Sequence, residues 1–319
     1  MQTTPKKILI TGGAGGLGAV FARRFAAQNH CIRIFDLPTP VNKKTMGAGA
    51  PGIEPVWGDV TDAAAVREAV RGVDEVIHMA AMLVPRTEDN PDLARKVNVG
   101  GTQNVLNAID AESAASSKSI PLRFSSSVTV FGVTAHETPP IAIDHPLNPV
   151  DNYNGTKIQA EELIRNSGLP FSIFRFSAIL YLQIRPGDFG QMRMIPPQNR
   201  IEMCHLFDVC DALLHALDNP EALGKTFILA GGPRCQMTYR EQILRTFALW
   251  GFPEPAWEKF TDKPFYLDWY DTTESQRILQ FQNRTFDDYL RDFSKALGWK
   301  QHAFKYLAAP PMRLLRIHV

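Results

Sequence analysis

Lys7-Ile8-Leu9-Ile10-Thr11-Gly12-Gly13-Ala14-Gly15-Gly16-Leu17-Gly18 is the stretch around which the rest of the chain is organised. The apolar run Ile8 to Ile10 reads as a buried strand, and it stops at a cluster of glycines. Beyond them Leu17, Val20, Phe21 and Phe25 recur at helical spacing. Strand, tight turn and helix in this order are the phosphate-binding start of a dinucleotide fold. Glycine lets the backbone turn sharply and approach a pyrophosphate where a Cβ would clash. The N–H groups at the helix start, Gly16 and Leu17 among them, then face the phosphates with the positive end of the helix dipole. Two glycine spacings are satisfied at once, Gly13-x-Gly15-x-x-Gly18 and Gly12-x-x-Gly15-x-x-Gly18.

A second apolar strand, Cys31 to Phe35, ends in Asp36, where an acid accepts hydrogen bonds from an adenosine ribose. A carboxylate there repels a 2′-phosphate, so the expected cofactor is NAD rather than NADP. Arg33 lies within the strand and is poorly placed to bind such a phosphate.

Composition narrows the remaining classes. The 319 residues suffice for one large domain or two unequal ones. A net charge of +1 gives no field for nucleic acid or an anionic membrane. No apolar run approaches the ~18 residues of a membrane span, and the N-terminus reads straight into the first strand without a signal-peptide pattern. Cys31, Cys204, Cys210 and Cys235 form neither a CxxC pair nor a disulfide framework, which fits a reduced, cytoplasmic setting.

Strand and helix patterns alternate from Lys7 to about Leu229. Further strands are expected at Glu54–Trp57, Asp74–His78, Ile120–Ser126, Pro170–Phe176 and Thr226–Leu229. Helices are expected after a cap at Thr61 or Asp62, and over Asp92–Ile109, Asp151–Asn166 and Asp208–Leu217. Such alternation predicts an α/β fold, a Rossmann-type doubly wound parallel sheet. Residues 177–204 are rich in Pro, Gly, Met and Arg without a clear period, and from Gly231 the pattern is mainly helical, opening with a capping box at Thr238 and Glu241. The expected division is therefore a dinucleotide-binding domain of residues 1–176 plus 205–230, with a small, mainly helical C-terminal substrate cap of 177–204 plus 231–319. The tail from Pro310 to Val319 reads as a docked or frayed terminus rather than a membrane anchor.

Two more stretches carry chemistry. In Tyr153-Asn154-Gly155-Thr156-Lys157 a phenol and an ammonium share one helix face. A neighbouring Lys⁺ is expected to draw the phenol, ordinarily near pKa 10, toward the working range of an acid/base group, and the same Lys can hold a nicotinamide ribose. Phe124-Ser125-Ser126-Ser127 leaves a strand at its C-terminal end. A Ser127 hydroxyl there donates to a substrate carbonyl or alkoxide, whereas Ser125 and Ser126 are open to a plainer role in satisfying backbone groups.

Together these stretches resemble an extended short-chain dehydrogenase/reductase of the NAD-dependent epimerase/dehydratase family. The matching features are Gly12/Gly15/Gly18, Asp36, Gly58-Asp59-Val60, His78-Met79-Ala80-Ala81, Asn98, the Ser127 segment and Tyr153/Lys157. The resemblance implies that Asp59 and Val60 meet the adenine, that Met79, Ala80, Ala81 and Met82 line the ribose side, and that Ser125 borders the cofactor. It further implies that Asn98 supports a proton relay and that Ser127, Tyr153 and Lys157 form a catalytic trio in a homodimer paired through the two long helices.

Departures from the family's patterns narrow the reaction. Dehydratases carry an Asp-Glu pair where this chain has Val128 and Thr129, and nucleotide-sugar enzymes carry an Arg-x-x-Asn where it has Arg175-Phe176-Ser177-Ala178. A diphosphate-gripping Arg is replaced by Ile201-Glu202-Met203, with Arg200 one position away. The expected activity is NAD(H)-dependent interconversion of a secondary alcohol and a ketone on a small molecule. A nucleotide-sugar 4-epimerase and a non-catalytic NAD sensor are the competitors. His205, Asp208, Asp211 and His215 are metal ligands by type, but helical spacing spreads them over more than one face and Asp208 reads as an N-cap, so no metal is expected. His78 reads as a packed, hydrogen-bonded histidine. Met192, Met194, Phe252, Trp257, Phe265, Tyr266 and Trp269 point to an apolar substrate or to the cap's own core.

Overall fold

The computed structural model describes residues 4–47, 50–183 and 192–299, so the tail from Pro310 and the stretch 184–191 lie outside it. Seven parallel strands form the main sheet: β1 (Lys7–Thr11), β2 (Cys31–Asp36), β3 (Ile53–Trp57), β4 (Glu75–His78), β5 (Leu122–Ser127), β6 (Phe171–Phe176) and β9 (Lys225–Leu229). Their order is β3-β2-β1-β4-β5-β6-β9. The chain therefore steps outward from β1 to β3, then returns to the other side of β1, and a crevice opens where the order reverses. All seven expected strands are present, shifted at most by two residues at an end.

Apolar packing covers both faces of the sheet. On one, α1 (Gly16–Ala26) and α8 (Leu206–Leu217) bury Phe21, Phe25, Val209 and Leu213 against Ile8, Ile10, Phe174 and Phe227. On the other, α3 (Ala63–Val70), α6 (Gly101–Ser116) and α7 (Asn152–Arg165) cover Leu9, Val76, Leu122 and Ile173. Of the two candidate caps of α3, Asp62 takes the role, accepting from the Ala64 and Ala65 N–H groups. The helix expected over Asp92–Ile109 is instead a short α5 (Pro91–Arg95), a π-turn (Lys96–Gly100) and α6, which runs on to Ser116.

A second sheet, absent from the sequence reading, has the order β10-β8-β7, with β7 at Ala178–Leu180, β8 at Arg200–His205 and β10 at Gln236–Thr238. Its strands pack with α9 (Tyr239–Trp250) and α11 (Phe286–Leu297) around Met203, Ile243, Phe247, Phe286 and Phe293. Thr238 caps α9 through the Glu241 N–H, but the reciprocal capping box falls at Thr285 and Asp288 of α11. Asp208 is not an N-cap, contrary to expectation. His205 caps α8, accepting from Phe207 N–H, and Asp208 sits within the first turn, where it holds Arg284. Among the described residues no helix is long and apolar enough to cross a membrane.

Glycine geometry makes the fold testable. A Cβ on Gly18 would stand 2.3 Å from the Gly12 carbonyl oxygen, whereas one on Gly155 in α7 meets nothing within 4 Å. Gly18→Ala is therefore expected to lose about 1–3 kcal/mol. Gly155→Ala should gain about 0.5–1 kcal/mol from reduced chain entropy. Urea midpoints of the two variants check the pair, and equal midpoints would contradict it.

Candidate active site

The first wall of the crevice is the turn after β1. Gly12 has φ +70°, a left-handed conformation that a side chain resists, and a Cβ there would press within 2.9 Å of the Ala80 backbone nitrogen. Gly15 precedes α1 with extended backbone and no side-chain cap, so the helix's first N–H groups are left for a ligand. Asp36, at the end of β2, accepts from the Ala14 N–H at 3.0 Å, the Leu37 N–H at 2.8 Å and Asn42 Nδ2 at 3.1 Å. Burial pushes its pKa up, against the hydrogen bonds from Leu37, Ala14 and Gly15.

A buried histidine joins this wall to the next. His78 has its Nδ1 2.6 Å from Thr11 Oγ1 and its Nε2 3.0 Å from Thr102 Oγ1. Thr102 spends its proton on the Asn98 carbonyl, so Nε2–H must donate and Nδ1 must accept the Thr11 proton. The Thr11 oxygen then receives the Met79 and Ala80 N–H groups, each at 3.2 Å. Burial pushes the imidazole pKa down to about 3, with the Lys157 charge adding to the shift. His78 is thus a neutral structural tie.

Asn98, on the π-turn, holds the far end of the same segment. Its Oδ1 accepts from Met82 N–H at 2.7 Å, and its Nδ2 reaches the Met82 carbonyl at 3.0 Å and Thr156 Oγ1 at 2.9 Å. Both ends of the amide are thereby spent on the 79–82 segment and α7, and Asn98 does not itself line the crevice.

The serines divide by partner. Ser125 donates to the His78 carbonyl and Ser126 donates to buried Glu161 at 2.6 Å. Ser127 stands 2.9 Å from the Thr129 hydroxyl, which is 2.6 Å from Asn154 Oδ1, so a polar chain links Ser127 to α7. Lys157 donates to the Ser125 carbonyl at 2.7 Å and lies 4.7 Å from the centre of the Phe124 ring. Burial pushes its pKa down to about 8, with Glu161 opposing. The ammonium is 5.8 Å from the centre of the Tyr153 ring.

The expected effect of that ammonium on Tyr153 is not found. Burial, then the Asp151 charge and the phenols of Tyr266 and Tyr181, raise the Tyr153 pKa above its ordinary value. Desolvation of the buried phenolate is the largest cause of the shift.

Gly12, Gly15, Gly16, Leu17, Gly18, Asp36, Asp59 and Val60 meet Met79 through Met82, Ser125, Ser127, Tyr153 and Lys157 around one crevice of about 560 Å³. Asn42, Arg86, Ile179 and Tyr181 also line it and escaped the sequence reading. Asn42 was hidden in a Pro/Gly-rich link that folds as a Thr39-capped helix, α2 (Pro40–Met46). The set read as possible metal ligands disperses: His205 caps α8, Asp208 and Asp211 bind Arg284, and His215 Nδ1 contacts the Leu279 carbonyl.

Comparison with known proteins places this crevice in a family. The model for the NAD dependent epimerase/dehydratase family matches residues 8–197. The chain belongs to that family. A short-chain dehydrogenase/reductase superfamily protein from Agrobacterium tumefaciens, crystallised with bound NAD, is 25% identical with a TM-score of 0.75, over 93% of this chain and 98% of that one. A UDP-glucose 4-epimerase of Lactobacillus helveticus is 28% identical over 177 residues, 53% of this chain and 51% of the relative. A 3 beta-hydroxysteroid dehydrogenase/isomerase of Mycobacterium tuberculosis is 34% identical over 113 residues, 34% of this chain and 29% of the relative. The chain thus spans about half or less of these curated relatives' length. Val128 is buried and Thr129 is tied to Ser127 and Asn154, so neither position holds an ionisable group.

Because burial sets the Lys157 pKa and Glu161 only raises it, Glu161→Gln should lower it further. Nuclear magnetic resonance of isotope-labelled lysine is expected to show one amine titrating near pH 8, moving downward in the variant. An upward move would refute the assignment of causes.

Proposed function

We propose that this chain is an NAD(H)-dependent oxidoreductase that interconverts a secondary alcohol and a ketone on a small-molecule substrate. The observation that carries the reading is the convergence of Ser127, Tyr153 and Lys157 on the same crevice as the glycine turn and Asp36. The crevice fits an adenine dinucleotide on two counts. A Cβ at Gly12 would press on the Ala80 backbone and one at Gly18 on the Gly12 carbonyl, so only glycine allows the tight turn, and the start of α1 lacks a side-chain cap.

On this reading the backbone of Gly12, Gly15, Gly16, Leu17 and Gly18 holds the pyrophosphate and Asp36 takes the adenosine ribose. Asp59 and Val60 border the adenine, Met79 to Met82 and Ser125 border the ribose side, and Asn98 acts by fixing Met82. When bound, NAD supplies the two-electron acceptor or donor for the carbinol hydrogen. Tyr153 Oη exchanges the proton of the substrate oxygen. Its raised proton affinity makes the phenol a donor to a carbonyl oxygen, and Lys157 is the adjacent cation for the phenolate required in the opposite direction. Ser127 orients the substrate oxygen, while Thr129 and Asn154 hold Ser127 in place. Residues 1–176 plus 205–230 serve as the cofactor domain, and 177–204 plus 231–319 as the substrate cap. We further propose a cytoplasmic homodimer paired through α6 and α7.

A 4-epimerase would use the same three side chains and keep its cofactor. The fate of Arg200 disfavours it. Its guanidinium is bound to Asp268 at 2.5 and 2.8 Å and to the Thr134 and Glu137 carbonyls, so it is not free to grip a diphosphate.

Tyr153→Phe is expected to lose at least about 10³-fold in kcat while keeping NADH affinity, and Ser127→Ala about 10²-fold. NADH should bind far more tightly than NADPH, with the gap narrowed in Asp36→Ala. Fluorescence titration and steady-state kinetics check these outcomes. Absence of NADH binding, or turnover surviving in Tyr153→Phe, would refute the reading. Binding without turnover of any alcohol, ketone or sugar nucleotide would favour a sensor.

A further inference from the structure

We propose that the substrate is an uncharged, mostly apolar secondary alcohol, or its ketone, carrying a second hydroxyl that Gln242 recognises; the inference rests on the alcohol/ketone reading above. A cavity of about 400 Å³ lies among β7, β8, α9 and α11. Ile179 and Tyr181 belong to its wall and to that of the crevice, so the two spaces abut beside the Tyr153 side. A concave, mostly apolar space of this size lies within the range of small-ligand pockets.

Its chemistry selects the occupant. Among the described residues the lining has no charged side chain, and Ile201, Ile243, Phe247, Trp250 and Phe293 supply most of its surface character. Among the described lining residues a nucleotide diphosphate would bury two negative charges with no cation to meet them, at several kcal/mol per ion. An apolar body instead gains from leaving water.

The polar groups of the lining are mostly spent. Tyr239 donates to the Met192 carbonyl at 3.1 Å, Tyr289 to the Tyr181 carbonyl at 3.3 Å, and Thr246 to the Gln242 carbonyl at 2.8 Å. Gln242 differs. The residue is only 7% exposed, and its side-chain Oε1 has no hydrogen-bond partner. A buried acceptor left unmatched costs about 1–3 kcal/mol, which a ligand hydroxyl recovers. Since α9 lines this cavity and not the crevice, Gln242 reads a part of the substrate away from the reacting carbon.

The test uses NADH-loaded full-length protein and three probes: 2-dodecanol, its ω-hydroxylated counterpart and UDP-glucose, with binding followed by calorimetry. The diol is expected to bind about tenfold tighter than the mono-alcohol, and UDP-glucose not at all. Gln242→Leu should equalise the two alcohols. Thr246→Trp should abolish binding of both while NADH affinity is unchanged; if that variant loses NADH binding, Ile243→Phe fills the same wall. Binding of UDP-glucose, failure of both alcohols to bind, or a diol preference surviving in Gln242→Leu would overturn the inference. Those results leave NADH binding and the Tyr153→Phe defect intact, whereas loss of either of these condemns the parent reading instead.

Discussion

A neutral imidazole, sealed between two threonine hydroxyls, fixes the separation of β1 and β4 where the sheet reverses its order. Every donor and acceptor in the Thr11–His78–Thr102 chain is matched, and the last hydroxyl ends on the Asn98 carbonyl. The glycine turn leaves β1 one residue after Thr11, and the 79–82 segment leaves β4 one residue after His78. Both flanks of the crevice are therefore positioned by one tie. Because burial holds the imidazole pKa near 3, the tie carries no charge through the ordinary pH range.

The same economy governs the opposite wall. Glu161, at the core of α7, accepts from Ser126 and from Arg175 at 3.0 and 2.8 Å. Burial raises its pKa, but Arg175, Ser126 and Arg165 outweigh that and hold it below the ordinary value. The helix that presents Tyr153 and Lys157 is thereby locked to β5 and β6. A carboxylate buried in this way is stable only because its partners come from strands on two sides, and so the register of β5 on β6 also places Ser127.

Much of this was legible in the chain. Apolar strands alternating with amphipathic helices fixed the main sheet, and glycine spacing, Asp36 and the Tyr153/Lys157 pair located the crevice. The second sheet was not legible, since β7 and β10 are three residues each and β8 is buried on both faces, leaving no alternation to read. Asp208 resembled an N-cap only by residue type; its role depends on Arg284, distant in sequence. The direction of the Tyr153 shift was likewise invisible, because pairing a phenol with an ammonium says nothing of how deeply each is buried. Of the residues read as pointing to an apolar substrate or to the cap's own core, Met192 lines the apolar cavity, while Met194 stands 59% exposed. The cavity's aromatics come instead from Tyr239, Phe247, Trp250, Tyr289 and Phe293.

Asp211 links regions that the chain order keeps far apart. One oxygen holds Arg24 of α1 and the other holds Arg284 at the entrance to α11, while Arg284 also grips Asp208. Both guanidinium groups lie over the Phe207 ring, at 5.0 and 5.6 Å. Losing Asp211 would leave Arg24 without its carboxylate, and losing Arg284 would leave Asp208 without its guanidinium, so drift at these sites is coupled rather than independent. Descendants should exchange them as a group or keep them all, which makes the C-terminal elements harder to swap between relatives than their distance from the glycine turn suggests.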